Sequence, residues 1–103
     1  MSFVTTQPES LITTASTLAA LGSALNAHNA AAAAPTTGVI APAADEVSAQ
    51  TAASLAGHAQ NYQAVSAQAA ALHQQFVATL TSNANSYADT EAANVIVAGL
   101  GGV

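Results

Sequence analysis

Lysine and arginine are both absent from this 103-residue chain, and five acidic residues leave it with a formal net charge of −5. Nothing in it can neutralise phosphates, which argues against nucleic-acid binding and against attraction to anionic lipid headgroups. Cysteine is also absent, so disulfides, thiolate metal sites and thiol catalysis are ruled out. The opening "MSFVTTQPES" lacks a basic n-region and an apolar h-region, so no general secretory signal peptide is expected. The longest apolar runs, "AAAAA" at 30–34 and "VIVAGLGGV" at 95–103, fall well short of the ~20 residues of a membrane span. A chain of this length is expected to form one small domain.

Catalytic patterns are equally scarce. Serine is plentiful, but no G-x-S-x-G elbow or Ser/His/Asp set appears. The three histidines do not cluster, and the acids are scattered, which is poor material for a metal site. Asp45 and Glu46 are adjacent, so their side chains diverge, as at a helix start rather than in an acid/base pair. The expectation is a non-enzyme with no catalytic, cofactor-binding or metal-ligating residues.

What the chain does contain is helical. Proline suits the first turn of a helix and breaks an interior. Pro8 therefore opens helix one, at about 8–35, with Thr6 or Gln7 as its cap and Glu9 in the positive first turn. "TTGVIAPAA" forms a connector over 36–44. Asp45 caps helix two, with Glu46 in its first turn, and the helix is expected to run to about residue 85. Residues 86–103 are then a tail.

The apolar pattern repeats every seven residues. Leu11, Leu18 and Leu25 form a row in helix one. Leu55, Tyr62, Ala69 and Phe76 form one in helix two, and His58, Val65, Leu72 and Thr79 a second. Alternating steps of three and four make a heptad seam. The fold class is all-α, a long antiparallel two-helix hairpin. With the connector centred near residue 40, Leu25 is expected to meet Leu55, Leu18 to meet Tyr62, and Val4 to meet Phe76. Residues beyond 80 would then have no partner in helix one. Two helices bury only part of each large apolar side chain, and ordering a residue's backbone costs ~1–2 kcal/mol. Such a hairpin is expected to be half of something, most simply of a four-helix bundle.

Three features occur in order: Pro8-Glu9 opening helix one, "PAADEVS" entering helix two, and Tyr87-x-x-x-Glu91 in "SYADTE". Together they resemble the mycobacterial PE (Pro-Glu) family over essentially the whole chain, in a short form without the long extension of larger members. The resemblance implies pairing with a PPE (Pro-Pro-Glu) protein in an elongated helical heterodimer. It also implies export by the type VII secretion machinery, with a cytosolic chaperone contacting the PPE subunit. Tyr87 and Glu91 correspond to the family's secretion signal, and Asp89 lies between them. The expected destination is secreted, at the cell envelope or surface or in host interaction, with membrane association only after export. Leu11, Leu18, Leu25, Leu55, Tyr62, Val65, Leu72 and Phe76 would form the seam and partner interface. Some family members carry cations in the hairpin; this chain has none, so its partner contacts must be apolar, hydrogen-bonded or through its acids. The competing reading is a self-associating structural or membrane-active helical envelope protein without a PPE partner. An ice-binding Ala/Thr helix fits less well, since only the Thr6–Thr17 and Thr79–Thr90 pairs keep an eleven-residue repeat.

Overall fold

Pro8 occupies the first helical position, where its missing N–H is no loss. Gln7 supplies the cap: its carbonyl accepts from the Ser10 N–H at 3.0 Å, and its side-chain oxygen from the Ser10 hydroxyl at 3.2 Å. The computed structural model describes residues 6–101, in which α1 spans Pro8–Thr37 and α2 spans Glu46–Gly101. No strand occurs among the described residues. The fold is thus the two-helix, all-α hairpin expected of the pattern.

Both connector-side ends follow from local chemistry. Pro35 lies in the last turn of α1 instead of ending it, because the helix needs only two more residues there. Thr36 and Thr37 hydroxyls donate to the carbonyls of Ala32 and Ala33 at 2.6 and 2.7 Å. The Gly38 N–H then closes on the Ala34 carbonyl at 3.0 Å. Asp45 caps α2 as expected, its carboxylate accepting from the Ser48 N–H at 3.4 Å. Hydrogen bonds from Ser48 hold the Asp45 carboxyl below its usual range, so it is ionised at neutral pH.

The described chain divides into two compact units, one of residues 21–73 and one of residues 6–20 with 74–101. In the first, two polar contacts and one steric contact fix the antiparallel register. Tyr62 Oη donates to Asn29 Oδ1 at 2.8 Å, and Gln63 Nε2 to the Asn29 carbonyl at 2.9 Å. Gly22 lies against His73, whose Cδ2 would stand 2.6 Å from a Cβ built there. Tyr62 therefore meets Asn29 and not Leu18, a shift of eleven residues along α1. Val39 and Pro42 of the connector face Val47, Thr51 and Leu55 of the first turns of α2 across a shared groove.

The seam has the expected seven-residue period but a different phase. In the 21–73 unit the buried or half-buried positions of α2 are Ser48, Ala52, Ala56, Gly57, Ala59, Gln63, Ser66, Ala70 and His73. Leu25, Leu55, Tyr62, Val65 and Leu72, expected inside, are 52–66% exposed. In the other unit Pro8, Leu11 and Leu18 are half-buried, whereas Phe76 is 57% exposed. The fully buried residues among those described are Ala15, Ala52 and Ala84, with no large side chain among them. Small residues let two backbones approach closely and leave bulky side chains on the flanks. The pairing of Phe76 with Val4 lies outside the described residues.

The glycines give a direct test of this packing. Gly22, Gly57 and Gly99 are all inside helices, where alanine is favoured by about 1 kcal/mol. A Cβ at Gly57 meets nothing within 4 Å, whereas one at Gly22 collides with the imidazole of His73. Gly57→Ala should raise helical content measured by circular dichroism. Gly22→Ala should gain less, because the His73 imidazole must move aside to admit the methyl group. In a His73→Ala background the two substitutions should gain equally; a Gly22→Ala gain that does not depend on His73 would refute the contact.

Candidate functional site

Helix α2 carries its bulk on one flank. Leu55, Tyr62, Val65 and Leu72 lie on two adjacent heptad rows and are all more than half exposed. Gln60, two residues and about 200° from Tyr62, lies on an opposite flank of otherwise small residues and is exposed. Helix α1 adds exposed Leu21 and Leu25 to the same unit. In the second unit Phe76 continues the α2 row, and Val95, Ile96, Val97 and Leu100 are 64–72% exposed. Isolated exposed apolar residues are ordinary; here they stand in rows on one flank, as a contiguous apolar patch.

At the closed end of the hairpin lies an apolar groove of about 260 Å³, lined mainly by Val39, Pro42, Val47, Thr51 and Leu55. Sequence reasoning missed it, because it exists only through the folding back of the connector. Val39 and Val47 in the apolar spacing around Pro42 were the available signal.

The stretch "SYADTE" is helical, not part of a separate tail, since α2 runs through it to Gly101. Nor is it beyond the covered part of the hairpin. Ala84 is fully buried, and Ala88 and Glu91 are half-buried. Tyr87, by contrast, is 49% exposed, and Asp89 is exposed as well. Tyr87 and Glu91 stand one turn apart on α2, the tyrosine open to solvent and the glutamate near the covered side. Pro8 and Glu9 form the first turn of α1, with Glu9 exposed at the positive end of the helix.

Among the described residues no three His, Cys, Asp or Glu side chains stand close enough to share a metal ion. No helix among them is long and apolar enough to cross a membrane. Their hydroxyls are largely spent on the helices: those of Thr14, Thr17, Thr51, Thr81 and Thr90 donate to carbonyls four residues back.

Comparison with known proteins places these features. The model of the PE family matches residues 4–94. The chain is 63% identical over 98 residues to PE family protein PE13 of Mycobacterium tuberculosis (strain ATCC 25618 / H37Rv), covering 95% of this chain and 99% of that protein. It is 61% identical over 94 residues to the PE-PGRS family protein PE_PGRS33 of Mycobacterium tuberculosis (strain CDC 1551 / Oshkosh), where it spans 20% of that longer protein. An uncharacterized PE-PGRS family protein of Mycobacterium bovis, PE_PGRS46, is 59% identical over 92 residues and is spanned over 12% of its length.

Proposed function

Since the chain belongs to the PE family, we propose that it acts as an exported helical subunit that pairs with a PPE protein and carries its own secretion signal. The observation that carries the reading is the inverted distribution of side chains. Alanines and small or polar residues fill the α2 seam while Leu55, Tyr62, Val65, Leu72 and Phe76 stay more than half exposed. In water this arrangement wastes the residues that contribute most to burial, at ~1.5–3 kcal/mol for each fully buried side chain. It makes sense when a second helical pair covers them, completing a four-helix arrangement.

Export by type VII machinery would use Tyr87 and Glu91. Tyr87 is a rigid, half-exposed aromatic, suited to anchoring in a receptor pocket. Glu91 supplies charge one turn away. A chaperone in the cytosol would contact the PPE subunit, and the pair would act at the cell envelope, at the cell surface or in contact with a host. No catalytic role is proposed.

The test is purification of a tagged chain from its native host, with native mass spectrometry of what is bound. A 1:1 complex with a PPE-family chain is expected. A homodimer with no second species would favour the self-associating envelope protein instead.

A further inference from the structure

We infer that the closed-end groove is the anchor point of the proposed helical partner, and that it receives one large apolar side chain flanked by Lys or Arg. The inference rests on the partner reading above and adds where, and by what chemistry, that partner is gripped.

Size comes first. At about 260 Å³ the groove is smaller than the ~300–1,000 Å³ of small-molecule sites, and suits a single side chain. Its walls, Val39, Pro42, Val47 and Leu55, are apolar. The Thr51 hydroxyl is already donated to the Val47 carbonyl at 2.9 Å, so it makes little polar demand on an occupant. Position comes second. Leu55 both lines the groove and begins the exposed row that continues to Tyr62, Val65 and Leu72. A helix lying along that row ends over the groove.

Charge selects the occupant. Asp45 accepts from the backbone of Ser48, itself a lining residue, so an ionised carboxylate sits at the rim. Glu46, on the first turn of α2, turns away from the groove, its side chain held by Gln50 Nε2 at 3.4 Å. A carboxylate at the rim of an apolar slot favours a cation next to the inserted side chain. A second copy of this chain has no Lys or Arg to supply it, and an anionic lipid surface would be repelled. The occupant is therefore a different protein, with a basic residue beside its anchor.

The test uses the purified complex of this chain with the PPE-family protein recovered from the native host. Thr51→Phe fills the groove from an exposed position. Losing a seated anchor of about 2 kcal/mol should weaken the complex about thirtyfold. Asp45→Asn keeps the helix cap, since Asn caps as well as Asp. It should slow association and flatten the dependence of affinity on salt. Circular dichroism of both variants checks that the helices persist. Wild-type affinity in Thr51→Phe, or an unchanged salt dependence in Asp45→Asn, would overturn the inference while leaving the partner reading intact, provided Phe76→Asp still abolishes pairing. Failure of the wild-type chain to form any complex would remove the partner reading, and this inference with it.

Discussion

A chain carrying Phe76→Asp or Leu72→Asp should lose its partner. Both side chains are more than half exposed in the hairpin, so a carboxylate there remains hydrated and the hairpin itself is little disturbed. In a complex the same carboxylate would be buried without a counter-ion, at a cost of several kcal/mol. That corresponds to a loss of affinity of about a hundredfold or more. Gln60→Glu, on the opposite flank of α2, adds the same charge at an exposed polar site and should change affinity by well under 1 kcal/mol. Co-purification by paired affinity tags reads the difference. Equal effects on the two flanks would show that the apolar flank is not the interface.

Export should fail in Tyr87→Ala while pairing survives. Tyr87 is about half exposed, so its removal leaves no cavity in the seam. A receptor that seats its ring would lose roughly 2 kcal/mol, about thirtyfold in affinity. Glu91 needs a gentler change because it is half-buried. Glu91→Gln removes the charge and keeps the volume, and a strong loss of export is expected there too. Asp89, exposed and about 200° around the helix from Tyr87, is the control, with near-normal export expected of Asp89→Ala. Protein in culture filtrate against cell pellet, in a mycobacterial host, gives the result. Normal export of Tyr87→Ala, or loss of its partner, would show that this turn is not a separable signal.

Which parts of this structure can be read from sequence depends on the physics behind each. Pro8 and Asp45 announce the helix starts because capping is local. The seven-residue period is equally legible. Its phase is not, because the usual rule places the largest apolar residues inside. Here Ala52, Ala59, Ser66 and His73, with Ala56, Gln63 and Ala70, form the seam. Those rows are as regular as the leucine rows, and the choice between them turns on whether the hairpin is complete alone. Register is not legible either. A connector centred on residue 40 pairs Tyr62 with Leu18, whereas the hydrogen bond of the folded chain sets Tyr62 against Asn29. The same shift is consistent with α2 remaining covered at Ala84, where the sequence pairing left it bare. Tyr87 and Glu91 entered only through the family pattern, since no local chemistry distinguishes an export turn from any other exposed helical turn.

The central claim is that this chain is half of a structure. Thermal unfolding of the lone chain, followed by circular dichroism with light scattering on the same sample, tests it most directly against the co-expressed PPE complex. The alone chain should be aggregated or should melt broadly, and the complex should be a 1:1 species with a single cooperative transition. A lone chain that is monomeric at micromolar concentration and melts cooperatively, at a temperature independent of concentration, would contradict the account.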